Sequence, residues 1–229
     1  MGSKNKLKRF KENESFGNVI QPTREELMSG AFSHKGHWSE YFGNTNPIVV
    51  ELGCGKGEYT VGLARKNPNF NYIGIDIKGA RFWRGAKTAL EEELNNVAFI
   101  RTQIELIEDV FAQNEVAELW ITFPDPQYKF KRTHHRLTNP IFLRRYHNIL
   151  KPDGVVHLKT DSSFLHGYTL GVLDGWNIVL QMAHHDVYQY VHAPENVIEI
   201  QTFYEQQYRE QGMPITYLKF SFPTHVPTE

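Results

Sequence analysis

Short runs of β-branched and aromatic residues alternate with longer amphipathic segments from residue 47 onward. The short runs have the length and composition of strands. They lie at 48–52, 71–75, 97–101, 118–123 and 155–159. The longer segments place apolar residues at helical spacing. They lie at 58–66, 79–95, 104–112, 139–149 and 163–174. This alternation predicts a parallel sheet with crossover helices.

The carboxyl-terminal part departs from that alternation. Two strand-like runs, at 176–182 and 215–222, are separated by a predicted helix at 203–211. Two strands near the carboxyl terminus, separated by one helix, would suit an antiparallel pair at the edge of the sheet. The predicted fold class is therefore α/β: a Rossmann-like, doubly wound, mostly parallel sheet in three layers, with an antiparallel strand near the carboxyl terminus.

The length and composition indicate one folded domain. The chain has 229 residues, of which 40% are hydrophobic, enough for one substantial core. We assign that domain to residues 21–229. Residues 1–20 are rich in lysine and arginine and poor in apolar side chains, so they predict a flexible basic arm. Such an arm is either a solvated tail or a contact to RNA phosphates.

Charge and cysteine content narrow the class of protein. The formal net charge is -1, so any affinity for a polyanion must come from local clusters. The single cysteine, Cys54, excludes an internal disulfide and favours a reducing, cytoplasmic compartment. No run of about 18 apolar residues is present, so the sequence predicts no membrane span.

A glycine-rich turn follows the first strand of the 48–159 series. Its residues are Glu51, Gly53, Gly55 and Gly57, and a helical segment begins directly after them. Glycines at such a turn let backbone N–H groups approach a ligand. No Gly-Lys-Ser/Thr is present, and the spacing differs from the Gly-x-Gly-x-x-Gly of dinucleotide enzymes. The carboxylate of Glu51 would repel a pyrophosphate but suits the cationic methionine end of S-adenosylmethionine.

The next strand ends in an acid, Asp76, 19 residues beyond Gly57. At the carboxyl end of a neighbouring strand this carboxylate can accept hydrogen bonds from ribose hydroxyls. A helix cap is the alternative role for Asp76.

The fourth strand ends in Pro124-Asp125-Pro126, and a basic, aromatic segment follows to Arg136. The two prolines restrict the backbone around Asp125 and hold its carboxylate at the ligand crevice. Cations between aromatic side chains suit a polyanion with stackable bases, and a merely solvated loop is the alternative. The cations Lys129, Lys131, Arg132 and Arg136 are therefore expected to contact phosphates.

Four ordered motifs carry a family resemblance. They are residues 51–57, 123–126 with the basic continuation to Leu137, 159–161, and 202–205. Together they resemble the motifs of the bacterial tRNA (guanine-N7)-methyltransferases, over roughly residues 47 to 220.

The resemblance implies a class I methyltransferase fold, methyl transfer from S-adenosylmethionine to guanine N7 in the variable loop of tRNA, and a set of site residues. By this resemblance the cofactor would be held by Glu51, Asp76 and Asp125, to which the glycine turn adds Gly53, Gly55 and Gly57, and Gln103 could hydrogen-bond adenine through its amide. The substrate would be held by Lys129, Asp161, Thr202, Phe203, Tyr204 and Glu205, to which the basic segment adds Arg132. Gln103 and Gln127 depart from the family, which has an acid and a tryptophan at the corresponding places.

Guanine N7 carries a lone pair and no proton, so the reaction needs alignment more than a general base. A carboxylate facing the guanine N1–H and amine would stabilise the charge that methylation leaves on the ring. We expect Asp125 or Asp161 to have this catalytic role, with Glu205 as the third candidate. No metal is expected, because the paired histidines lack further ligands at suitable spacing.

Three other interpretations compete with this one. They are a methyltransferase of the same fold with another substrate, a non-catalytic RNA-binding partner, and a nicotinamide-dependent oxidoreductase. The basic, aromatic loop disfavours a methyltransferase with another substrate. The presence of the glycines and acids of the site disfavours a non-catalytic partner. The glycine spacing disfavours an oxidoreductase. The expected partner is tRNA, and the expected state is a monomer or a homodimer.

Overall fold

The computed structural model describes residues 3–190 and 192–224, and its strands form a single sheet. The strands are β1 (Val19–Ile20), β2 (Ile48–Leu52), β3 (Asn71–Ile75), β4 (Val97–Ile100), β5 (Val116–Thr122), β6 (Leu150–Thr160), β7 (Val179–His184) and β8 (Thr216–Ser221). Their order across the sheet is β1-β4-β3-β2-β5-β6-β8-β7. Strands β1 to β6 pair in parallel, and β8 is antiparallel to both of its neighbours.

Helices cover both faces of this sheet. They are α1 (Ser3–Asn13), α2 (Arg24–Met28), α3 (Trp38–Phe42), α4 (Glu58–Lys66), α5 (Gly79–Glu91), α6 (Ile107–Val110), α7 (Pro140–Ile149), α8 (Ser163–Gly175), α9 (Glu195–Glu199) and α10 (Phe203–Glu210). Short 3₁₀ turns lie at Ile104–Leu106 and Phe130–His135. Within the described residues, no helix has the length and hydrophobicity that a membrane span needs.

Two apolar cores separate the three layers. One core joins the sheet to α7 and α8 through residues such as Leu143 and Leu165, and the other joins it to α4 and α5 through Tyr59 and Phe82. The mostly parallel, doubly wound α/β fold with its antiparallel carboxyl-terminal strand is thereby confirmed.

The strand order reverses between β2 and β5, which are neighbours in the sheet but distant in the chain. The connections after these two strands leave toward opposite faces. The reversal therefore opens a crevice at the carboxyl ends of β2 and β5, where ligands bind in open α/β sheets.

The amino-terminal segment differs from its predicted form. Residues 1–20 were expected to be a flexible arm, but α1 packs on α5 and β1 pairs with β4. Polar anchors explain the difference: Asn13 Nδ2 donates to the Gly79 carbonyl at 2.9 Å, and Asn18 Nδ2 donates to that of Ala86 at 3.0 Å. Residues 1 and 2 lie outside the described range.

Helix α5 is shorter than the predicted segment 79–95, and Glu93, just beyond it, has a positive φ of 55°. The predicted helix at 104–112 is a 3₁₀ turn followed by the single turn of α6.

Candidate active site

The glycine turn wraps around the end of β3. The backbone N–H groups of Gly53 and Cys54 both donate to the carbonyl of Ile75, at 2.8 and 3.0 Å. All three glycines have positive φ, and a Cβ at Gly57 would lie 2.6 Å from the Phe99 ring. A side chain at Gly57 would therefore clash as well as strain the backbone.

Asp76 holds the same turn from the next strand. Its Oδ2 accepts from Gly55 N at 3.1 Å, and its Oδ1 accepts from Lys78 N at 2.7 Å. The alternative role as a helix cap is not met, because Lys78 itself is the N-cap of α5. Each carboxylate oxygen has a further lone pair, so Asp76 can still accept hydrogen bonds from a ligand.

Glu51 lies beneath the turn and is buried. Its Oε2 accepts from the backbone N and the hydroxyl of Thr60, and its Oε1 accepts from Thr122 Oγ1 at 2.5 Å. Burial raises the pKa of Glu51 to about 7, although these hydrogen bonds oppose the shift. The carboxylate therefore caps the first turn of α4 from inside the protein. Its expected contact with the cofactor stays a prediction.

A cleft of about 410 Å³ opens at the carboxyl ends of the strands. Four of the predicted cofactor residues line it: Gly53, Asp76, Gln103 and Asp125. The side-chain oxygen of Gln103 accepts from Arg24 Nη1 at 2.7 Å, which leaves its amide nitrogen as the donor toward a ligand. The structure thus brings together residues from the ends of four different strands.

The Pro-Asp-Pro segment has an unusual backbone. Phe123 and Gln127, which flank it, have positive φ values of 47° and 50°. Such conformations are uncommon for residues other than glycine and cluster at functional sites. Asp125 Oδ1 accepts from Gln127 N at 3.0 Å, so a local turn fixes the exposed carboxylate.

Arg136 does not have the predicted role of a phosphate contact. Its side chain is buried, and Nε and Nη2 donate to the Gln127 carbonyl at 3.2 and 3.1 Å. Its guanidinium also lies over the rings of Phe164 and Tyr168, at 4.8 and 4.4 Å. Because these contacts occupy Arg136, it fixes the loop rather than binding a partner.

The rest of that loop faces outward. The predicted cations Lys129, Lys131 and Arg132 are exposed and form no ion pair among the described residues. The same segment carries Tyr128, which is 66% exposed, and Phe130, which is 92% exposed. An apolar ring so exposed beside cations is a surface suited to stacking.

Asp161 is close to the same surface. Phe123 N donates to the Lys159 carbonyl at 2.8 Å, so Asp161 follows β6 at the level where Asp125 follows β5. Burial raises the pKa of the Asp161 carboxyl. Burial and the charge of Asp161 raise the pKa of Tyr208.

The predicted substrate segment 202–205 divides into two pairs. Phe203 and Tyr204 are about half exposed, and Lys56 Nζ lies 3.9 Å from the centre of the Phe203 ring. The Thr202 hydroxyl accepts from Glu205 N at 3.2 Å as the N-cap of α10. Glu205 has no exposed surface, so the structure contradicts its expected contact with the substrate.

Glu205 instead forms a buried ion pair with Lys159. Lys159 Nζ lies 2.7 Å from Glu205 Oε1 and also donates to the carbonyls of Val197 and Ile200. Tyr188 OH donates to the same carboxylate oxygen at 2.7 Å. Burial lowers the pKa of Lys159 to about 8. This network ties the segment that carries Phe203 and Tyr204 to the end of β6.

The anchoring role of Lys159 was not predicted from the sequence. A signal was available, because a lysine in an apolar strand needs a buried acceptor. The sequence does not show which of the distant acids supplies it.

No group of three His, Cys, Asp or Glu side chains in residues 3–190 and 192–224 could hold a metal ion. The expected independence from metal stays a prediction.

Comparison with known proteins defines the class. Residues 45–218 match a family model described as "Putative methyltransferase". A solved 16S rRNA methyltransferase, KamB, has a similar fold, with a TM-score of 0.62 at 13% identity over 82% of this chain and 94% of that one. A solved antibiotic-related methyltransferase gives a TM-score of 0.61 at 16% identity over 91% and 98% of the two chains. The chain thus has the fold of this enzyme class.

Two curated relatives define the family. A protein of Christiangramia forsetii named tRNA (guanine-N(7)-)-methyltransferase is 71% identical over 96% of this chain and 99% of its own length. A protein of the same name from Bacteroides thetaiotaomicron is 45% identical over 96% and 86%. The chain belongs to the bacterial tRNA (guanine-N7)-methyltransferase family.

Proposed function

We propose that the protein transfers a methyl group from S-adenosylmethionine to N7 of a guanine in tRNA, giving 7-methylguanosine and S-adenosylhomocysteine. The proposal rests on two neighbouring features of the structure. The cleft lined by Gly53, Asp76 and Asp125 borders an exposed surface of aromatic side chains and cations. The first part suits a nucleoside donor, and the second suits a polyanion with bases.

The residues of the cleft fit S-adenosylmethionine. Asp76 keeps acceptor capacity for ribose hydroxyls, and Gln103 keeps its amide donor for a base. The first turn of α4 is occupied by Glu51 and carries the acid Glu58. A pyrophosphate at this helix terminus would meet two carboxylates, which disfavours a dinucleotide. S-adenosylmethionine, when bound, supplies a methyl group on a cationic sulfur.

The chain's own contribution is alignment. The turn fixed by Gln127 holds the Asp125 carboxylate, and Arg136 fixes Gln127 in turn. In this proposal Asp125 and Asp161 accept from the N1–H and amine of a guanine, which fixes the base and stabilises positive charge on its ring. Tyr128, Phe130, Phe203 and Tyr204 offer stacking faces, and Lys129 and Arg132 offer phosphate contacts. The cytoplasm, where tRNA is found, is the proposed compartment, and a monomer or homodimer stays the predicted state.

Two measurements test the proposal. Calorimetry should detect S-adenosylmethionine binding and no NAD binding. A labelled methyl group should then pass to bulk tRNA and not to protein or small-molecule acceptors. Binding of the donor without transfer to tRNA would favour a non-catalytic RNA-binding partner, and transfer to another acceptor would favour the first competing interpretation.

A further inference from the structure

A second groove lies beside the cofactor cleft, between α1, α5 and the glycine turn. Its volume is about 860 Å³, roughly twice that of the cleft. Ile77, Lys78 and Arg81 line both, so the groove and the cleft are continuous. The exposed ring of Tyr204 stands at its border with the aromatic surface of the active site.

The groove concentrates positive charge in a chain whose net charge is -1. Six of its cations form no ion pair with the carboxylates that the structure describes. They are Lys6, Lys56, Lys78, Arg81, Arg84 and Arg101. Glu58 is the one acid among the lining residues, and its carboxylate accepts from Phe203 N at 3.2 Å.

Cations just outside the groove are paired. Lys87 on α5 lies 3.7 Å from Glu91, Arg65 lies 2.6 Å from Glu92, and Lys66 pairs with Glu199. Acids on the neighbouring surface therefore pair with cations, whereas Glu58, the acid that lines the groove, forms no ion pair with the groove's cations among the described residues. Like charges gathered without counter-charges repel each other. A bound anion would offset this repulsion.

The cations from α1 are held in place by the fold. The Asn13 side chain donates to the Gly79 carbonyl, and a Cβ at Gly79 would lie 3.2 Å from Phe10 and from Arg101. The Arg101 guanidinium lies 4.9 Å from the centre of the Phe10 ring. Lys6 therefore faces the groove from a docked helix, which reduces the entropy lost when it binds a ligand.

We infer that this basic groove binds the sugar–phosphate backbone of the tRNA outside the methylated guanosine. The inference rests on the proposed function for the identity of the RNA. Lys56 and Tyr204 line the groove, and Lys56 Nζ lies 3.9 Å from the centre of the Phe203 ring, so the groove meets the aromatic surface where a nucleic-acid strand would leave the active site. Phosphate contacts of this kind supply affinity and register without reading the base.

The test compares two doubly substituted variants that each remove two positive charges. Lys6→Ala/Arg84→Ala removes unpaired groove cations, and Lys66→Ala/Lys87→Ala removes paired cations outside it. In the groove variant, log affinity for tRNA should fall less steeply with log salt, with a slope smaller in magnitude by about 1.5. Its KM for tRNA should rise about tenfold. Its kcat at saturating tRNA and its affinity for S-adenosylmethionine should equal those of the wild type, as should its thermal midpoint. The control variant should behave like the wild type in every measurement.

Three outcomes would overturn the inference. They are an unchanged slope and KM in the groove variant, an equal change in the control variant, or loss of binding to phosphatidylglycerol vesicles with tRNA affinity intact. The last would assign the groove to a membrane surface. If the wild type binds tRNA but transfers no methyl group to it, the proposed function fails, while the slopes still decide whether the groove binds RNA.

Discussion

The two halves of the active site are built differently. In the cofactor half the hydrogen bonds gather at the glycine turn: Gly55 donates to Asp76, and Thr60 of α4 and Thr122 of β5 donate to Glu51. In the substrate half a buried ion pair between Lys159 and Glu205 ties α10 to the end of β6. The cofactor half is therefore fixed by residues at the ends of neighbouring strands, whereas the substrate surface also needs an anchor between the sheet and a late helix.

The largest effect is expected at the border of the two halves. Asp125→Ala should lower kcat/KM for tRNA by about 10²- to 10³-fold, because it removes the carboxylate that we propose contacts the reacting base. The thermal midpoint should not change, since Asp125 is exposed. Asp153→Ala, an exposed acid at the other end of β6, is the control and should be fully active. Equal activity in both variants would remove Asp125 from the site.

The next effect tests the long-range anchor. Lys159→Met leaves the buried Glu205 carboxylate without its cation and should lower the free energy of unfolding by about 3–5 kcal/mol. Adding Glu205→Gln should restore part of that loss, because the uncompensated charge is removed. Denaturant unfolding of the single and double variants measures both. Strictly additive losses would show that the two side chains do not act as a pair.

The cofactor half should respond to pH. The pKa of Glu51 is raised from 4.5 to about 7 by burial, so the folded state binds its proton more tightly than the unfolded state. Its contribution to stability is complete below pH 4.5 and is lost as pH rises through 7, by about 3 kcal/mol. Glu51→Gln should remove this dependence. Parallel stability curves for the wild type and Glu51→Gln between pH 4.5 and 8 would contradict the assignment.

The smallest effect separates anchors from contacts within the substrate half. Lys129→Ala/Arg132→Ala should flatten the salt dependence of tRNA affinity by about 1.5 in slope. Arg136→Ala should leave that slope unchanged and lower kcat about tenfold, because the Gln127 carbonyl and the loop lose their support. If both variants changed the slope equally, Arg136 would be a phosphate contact after all.

The contrast between the halves also explains what the sequence could predict. Strand and helix periodicity predicted the fold, and the bounds of α4 matched those observed, since local pattern determines them. The residues of the cofactor cleft came from motifs at strand ends. Burial could not be predicted in the same way: Glu205 and Arg136 are polar residues in polar stretches, and only tertiary contacts show that they face inward. The docking of α1 depends likewise on single amide side chains at Asn13 and Asn18.

Nucleoside mass spectrometry identifies the product of the proposed reaction. Unmodified tRNA is incubated with the protein and S-adenosylmethionine, digested to nucleosides, and compared with the same reaction containing Asp125→Ala. We expect 7-methylguanosine as the one new nucleoside, at a level strongly reduced with the variant. A different methylated nucleoside, or none, would contradict the proposed reaction.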